Sequence, residues 1–299
     1  MIVDARQLHK RFGKTTVLQD IELQVPEGSV FALIGTNGAG KTTTMRTLVN
    51  ILQPDSGSVR VLGVDSRSLS HVNFWQIGYL SENQRLPARL NVAQYFDYLR
   101  ALYPDWDRSL ESDLRARLEL PADRLLSKLS HGMRMKALLI GAVSFHPKLL
   151  ILDEPLSGLD SLVRDEVIEG ILDLAHESTI LISSHELAEI ENFTTHVAFM
   201  DKGRLLFQQP LEQLQDRFRE VHVTLSSQRE LPEDLPSSWL NPLVSGHTFR
   251  FIDSEFENHD LAYRKLTQHF GAVQVDEEAM SLRDISKALI REARKEVRD

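Results

Sequence analysis

The segment VFALIGTNGAGKTT, residues 30–43, constrains this chain more than any other. Five apolar residues, Val30 to Ile34, stop at Gly35, the look of a central strand buried on both faces. From Gly35 to Thr42 the residues fit G-x-x-x-x-G-K-[ST] in full. Glycines let such a loop curl, so that the backbone N–H groups along Gly35, Asn37, Gly38, Ala39 and Gly40 face one anion. A helix starting near Lys41, with Thr43 in its first turn, aims its positive end at the same point. Lys41 would reach terminal phosphates there, and the Thr42 hydroxyl would ligate Mg²⁺. Strand, phosphate loop and helix together predict an open α/β sheet.

A second apolar run, KLLILDEP, comes more than a hundred residues later, whereas a simple crossover takes roughly 30. Something is therefore inserted. This run ends in two acids, which a short apolar strand rarely needs for structure. Asp153 would hold the Mg²⁺ through its water shell, and Glu154 would accept a proton from water attacking a phosphorus. A third run, TILIS, ends at Ser183 and leads into Ser184 and His185. Gly35, Asp153, Glu154 and His185 each follow a strand, so the sheet should gather them at its carboxyl edge, where open α/β sheets bind ligands. A histidine placed there can hydrogen-bond a γ-phosphate.

Residues 2–25 read as strands, with Ile21, Leu23 and Val25 alternating. Further strands are expected at Val59–Leu62 and Ile77–Leu80, and a wholly helical region from about residue 84 to 146. In that region Asn91 caps one helix, a second ends before Pro121, and a third begins after Ser130. Trp75 and Trp106 read as core anchors. The helix after LDEP carries Leu162, Val163, Val167, Ile168, Ile171, Leu172 and Ala175 as one apolar stripe. From about residue 216 the character changes: EVHVTL and TFRFID alternate as strands, prolines fall at 232, 236 and 242, and two helices close the chain. The expected division is 1–215 and 216–299, the latter a small α+β domain.

Composition narrows the function classes. A net charge of −9 argues against a protein that lives on nucleic acid, which needs surplus Lys and Arg. No cysteine is present, so thiolate metal sites and cysteine nucleophiles are excluded. The start, MIVDARQLHKRFGK, lacks the apolar core of a signal peptide. The longest apolar stretch, Ala137 to Phe145, falls well short of the ~18 residues a spanning helix needs.

Taken in order, these motifs closely resemble the ATP-binding cassette (ABC) ATPase family over residues 1 to about 215. GTNGAGKTT is similar to its Walker A motif, LLILDEP to its Walker B, and SGLD, ending at Asp160, to its aspartate loop. SSH resembles the switch histidine, and IGYLSE the glutamine loop, with Glu82 where the family has glutamine and Gln84 as the alternative if the loop is shifted. LSHGM, residues 129–133, is similar to the signature LSGGQ, with His131 and Met133 in place of glycine and glutamine.

The resemblance implies a P-loop core with an N-terminal antiparallel β subdomain and an inserted helical subdomain. ATP and Mg²⁺ are the implied cofactors. Phe12 would stack on adenine, a contact worth about 1–3 kcal/mol. Glu82 would join Thr42 and Asp153 at the metal and help place the attacking water. The Ser130 hydroxyl, the Gly132 N–H and a helix dipole would meet the γ-phosphate held by a second protomer. A head-to-tail dimer follows, identical chains or a heterodimer, coupled to a separate transmembrane permease. The chain would then be cytoplasmic, peripheral on the inner face of the cell membrane. LSxGM variants resemble those of export-type subunits, so the signature is expected to work, and the cassette type with its C-terminal extension resembles bacterial exporters, so export is the expected direction. The alternative is an ATP-gated interaction module with weak or no hydrolysis, against which Glu154 speaks.

Overall fold

The computed structural model describes residues 1–174, 177–185, 190–227, 235–270 and 272–296. Two compact units divide the chain, Met1–Glu186 with Asn192–Gln208, and Gln209–Asp299 with Leu187–Glu191.

The first unit opens with β1 (Val3–Phe12) and β2 (Thr15–Val25), an antiparallel pair, followed by β3 (Val30–Gly35) and helix α1 (Lys41–Leu48). β4 (Ser56–Val61) and β5 (Val64–Asp65) complete a four-stranded sheet in the order β2-β1-β4-β5. A short helix α2 (His71–Phe74) leads into β6 (Ile77–Ser81). Three helices then precede the next strand: α3 (Val92–Leu102), α4 (Arg108–Arg117) and α5 (His131–Val143). Asn91 does cap α3, accepting from Gln94 N–H at 2.8 Å while the Gln94 side chain accepts from Asn91 N–H at 3.0 Å. The expected wholly helical region is thus three helices with long joining segments. Trp106 is 9% exposed and donates to the buried Glu111 at 2.9 Å.

β7 (Leu149–Asp153), α6 (Ser161–Leu174), β8 (Thr179–Ser184), β9 (His196–Asp201) and β10 (Arg204–Pro210) finish this unit's strands and helices. The central sheet runs β10-β9-β3-β8-β7-β6, with β6, β7, β8, β3 and β9 parallel. Every residue of β3, β7 and β8 is buried. Strands covered on both faces read as continuous apolar runs rather than alternating ones, which is why these three are conspicuous in the sequence. One core joins β1, β2 and β4 to β3, β7, β9 and α1, with Leu8, Leu23, Phe31, Met45 and Ile151 fully buried.

The stripe expected on α6 is narrower in the structure. Val167 and Ile171 are buried, but Leu162 is 70% exposed and Leu172 38%. With about 3.6 residues per turn, a face centred between Val167 and Ile171 puts Leu162 on the far side of the helix and Leu172 at its flank. Ala175 lies outside the described residues.

The second unit holds α7 (Leu211–Arg217), β11 (Arg219–Leu225), β12 (Trp239–Ser245), β13 (Thr248–Asp253), α8 (His259–Phe270), β14 (Ala272–Ala279) and α9 (Leu282–Glu296). Its sheet runs β12-β13-β11-β14. β11 and β13 are the two strands expected from alternation. β12 and β14 are additions, and β14 separates the two closing helices. Both are edge strands, exposed over much of their length, so neither shows a clean apolar period. β12 even contains Pro242, at a register shift between Leu240 and Leu243, where an edge strand tolerates proline. Pro232 lies outside the described residues. Val221, Val223, Phe249, Phe251 and Leu266 form the core of this unit.

Candidate functional site

Register decides the site. Ile34 pairs with Ser184, Asp153 with Ser183, and Ser81 with Asp153, so β3, β8, β7 and β6 end level with one another. Gly35, Asp153, Glu154 and His185 therefore meet at one edge, as their positions after strands require.

The loop between Gly35 and Lys41 turns at Gly40, whose φ is 109°. A side chain there would be strained by the backbone and would also sit 2.9 Å from Leu18 Cδ2. Thr36, Asn37 and Gly38 are exposed at the loop tip, while Ala39 is buried beneath. Thr43 is half-buried in the first turn of α1, its carbonyl accepting from Thr47. Lys41 is 5% exposed. Its ammonium donates to the Gly35 carbonyl at 2.7 Å and lies 2.9 Å from Glu154 Oε1. An ammonium so buried needs partners, and the loop carbonyl and the carboxylate supply them.

Asp153 is 2% exposed. Its Oδ1 accepts from Thr42 at 2.9 Å and Ser183 at 3.0 Å, and its Oδ2 from Ser81 at 3.0 Å. Nothing in the sequence marks Ser81 for the site, and Ser183 is marked only as part of the run into His185. Their signal is positional: a small hydroxyl residue at the end of each strand flanking the aspartate. Tyr79, on β6, is pushed above its usual range by burial and then by the Asp153 charge. The Thr42 hydroxyl and Asp153 carboxylate are hard oxygen donors at close range. That pair suits Mg²⁺, an ion that keeps waters and takes phosphate oxygens for its remaining ligands.

Glu154 has φ 53°, the left-handed region that non-glycine residues rarely occupy. Its N–H donates to Ser183 Oγ at 2.9 Å, and His185 Nδ1 lies 2.8 Å from its Oε2. The turn thus aims one carboxylate between a lysine and a histidine. Strain held at such a point is common at functional sites.

The remaining predicted residues fall around this centre. The Glu82 N–H donates to the Asp153 carbonyl at 3.1 Å, but its carboxylate accepts from Ser157 at 3.3 Å. Gln84 is exposed and donates its N–H to Ser81. Asp160 caps α6, accepting from Val163 N–H at 3.1 Å. Phe12, at the end of β1, is half exposed with the Lys10 ammonium 5.6 Å from its ring. Ser130 caps α5, its Oγ accepting from Met133 N–H at 3.2 Å. Gly132 lies so close to α6 that a Cβ would come within 2.9 Å of Val163.

A phosphate loop opening α1, two acids closing the adjoining β7, a histidine after β8 and a helical insertion define a nucleotide-binding cassette. A family profile described as "ABC transporter" matches residues 18–157. The chain is 32% identical over 222 residues to the bacitracin transport ATP-binding protein BcrA of Enterococcus faecalis, covering 73% of this chain and 72% of that one. It is also 32% identical over 216 residues to a sulfate/thiosulfate import ATP-binding protein of Bradyrhizobium diazoefficiens, covering 69% of this chain and 62% of the other. The fold is that of the dimeric MJ0796 structure, a bacterial ABC transporter cassette, with a TM-score of 0.63 at 18% identity over 70% of this chain and 98% of that one. The chain belongs to the family of ABC transporter ATP-binding proteins, a class of ATPases.

Proposed function

We propose that this chain binds MgATP at the edge of the central sheet and hydrolyses it to drive export through a separate membrane permease. The observation that carries the reading is the set of pairs gathered at this edge: Lys41 with Glu154, Glu154 with His185, and Thr42 with Asp153, each within hydrogen-bond distance. Loop N–H groups and Lys41 bind the phosphates. Thr42 and Asp153 hold Mg²⁺, which when bound neutralises phosphate charge. Glu154 takes the proton from the attacking water, oriented by His185, and Glu82 steadies the same region. Phe12 stacks on adenine. Ser130 and Gly132 act across a head-to-tail dimer on the partner's ATP, with Asp160 at the same contact; the dimer is of identical chains, or a heterodimer. The dimeric relative supports that assembly.

Lys41→Ala should weaken ATP binding about ten- to hundredfold, since a charge-assisted hydrogen bond contributes about 1.5–3 kcal/mol. A titration with a fluorescent ATP analogue measures this. Unchanged affinity would remove the phosphate loop from the site.

Among the described residues no helix is long and apolar enough to cross a membrane. Coupling to transport then runs through a partner. The helical subdomain offers Tyr98, 54% exposed, and Leu102, 49% exposed, near its surface. Large exposed apolar side chains that lie together mark protein contacts. Purification from membranes should bring down a chain with multiple spanning helices, and Tyr98→Glu with Leu102→Glu should release it while ATP affinity holds. Retention of the spanning chain by the double variant would exclude this surface. The BcrA likeness supports export; uptake by inside-out vesicles, dependent on ATP, is its test.

A further inference from the structure

LSHGM departs from its family pattern at His131, and the structure gives that side chain a role glycine could not fill. His131 is the first residue of α5, directly after the Ser130 cap. Its Nε2 lies 2.9 Å from the carbonyl oxygen of Ser157, in the loop that runs from Glu154 to Asp160. Its Nδ1 lies 3.4 Å from the Arg134 guanidinium. A guanidinium can only donate and a carbonyl can only accept. The two neighbours therefore select the tautomer with its proton on Nε2, donated to Ser157, and a bare Nδ1 facing Arg134.

The loop it reaches is the one next to the chemistry. The Ser157 N–H donates to the Glu154 carbonyl at 3.3 Å, and its hydroxyl donates to Glu82 at 3.3 Å. Gly158, with φ 67°, turns directly over the imidazole, with the nearest ring atoms 3.6 Å from where a Cβ would stand. One residue of α5 thus fastens the segment that carries Glu154, while the same turn of α5 presents Ser130 and Gly132. Deeper along the helix, the buried Lys136 pairs with Glu166 of α6 at 2.6 Å, and Gly132 admits Val163. These contacts hold α5 to α6, but neither touches the loop after Glu154.

We propose that His131 is a positioning residue for ATP hydrolysis. Through Ser157 it fixes the Glu154–Asp160 loop against the first turn of α5, so that base and signature turn keep one geometry. Nucleotide binding by Lys41 and the loop N–H groups does not depend on it. This rests on the assignment of Glu154 as the base.

The test uses the purified full chain. His131→Ala and His131→Asn should each lower kcat about tenfold, because small misplacements of a catalytic group cost up to about 10²-fold. Asparagine places its amide near Nδ1 and cannot reach Ser157. His131→Gln places an amide N–H near Nε2 and should keep kcat within about threefold of the parent, while KM for ATP moves less than about threefold in all three, the loss being one of geometry rather than of binding. A merely structural role would not sort glutamine from asparagine. Separately, ¹⁵N-histidine spectra of the nucleotide-free parent, assigned by the signal lost in His131→Gln, should show a ring protonated at Nε2 alone. A proton on Nδ1 would overturn the proposal, as would parental kcat in His131→Ala or an equal loss in His131→Gln. Should the alanine variant fail to unfold cooperatively, the glutamine–asparagine contrast and the ring spectrum still decide. If Glu154→Gln keeps full turnover, the base assignment fails instead, whatever His131 does.

Discussion

Glu154→Gln should cut ATP turnover by about 10²–10⁴-fold, the usual contribution of a positioned general base. The amide has the same shape but no lone pair basic enough to take a proton from water. The backbone should tolerate it, since glutamine meets the same strain as glutamate at a φ of 53°. ATP binding should be kept, and the structure gives a reason to expect slight tightening. Lys41 is paired with Glu154 at 2.9 Å. An incoming phosphate must compete with that carboxylate for the ammonium, and glutamine removes the competitor's charge. With hydrolysis blocked, the ATP-bound dimer should accumulate. Size-exclusion chromatography with ATP should therefore show a dimer in the variant, and steady-state phosphate release should show the loss. A variant that stays monomeric with ATP would take away the main support for the sandwich. One that turns over normally would take the base role from Glu154.

The parts of this chain that could be read in advance share a physical cause. β3, β7 and β8 are buried on both faces, so their sequences are apolar without interruption, and the residues that end them stand out by contrast. A parallel sheet brings those ends level, so the sequence alone places Gly35, Asp153, Glu154 and His185 together. What stayed illegible depends on tertiary neighbours. Ser81 and Ser183 matter only because register sets them beside Asp153. Leu162 looked like a core residue because it is apolar, but the helix turns it outward. β12 and β14 carry little period because edge strands bury little. The partner of His131 is a backbone carbonyl, and no side chain in the sequence announces a carbonyl.

Ser130→Arg should abolish turnover while leaving the affinity of the single chain for ATP near that of the parent. The structure shows why Ser130 can serve two ends. Its oxygen accepts from Met133 N–H at 3.2 Å and so caps α5. A hydroxyl has one donor and two acceptor positions, and capping leaves the O–H to point at an anion beyond the helix. Arginine loses the cap, at about 0.5–2 kcal/mol, and fills the space where a partner's γ-phosphate must dock. The cap loss alone should lower the unfolding temperature by only a few degrees, on the order of 2–4 °C per kcal/mol for a domain of this size. A larger fall would mean that the variant is misfolded and its inactivity uninformative, so Ser130→Asn, which keeps a capping oxygen, runs beside it and should fold normally. Mixing then separates cis from trans. In a heterodimer of Ser130→Arg with Lys41→Ala, one composite site carries both lesions and the other carries neither. With random pairing of equal amounts in a two-fold dimer, about a quarter of parental turnover per chain should return. No recovery despite demonstrated heterodimers would count against independent sites. Normal turnover in Ser130→Arg alone would be the stronger blow, since Ser130 would then be a helix cap and nothing more.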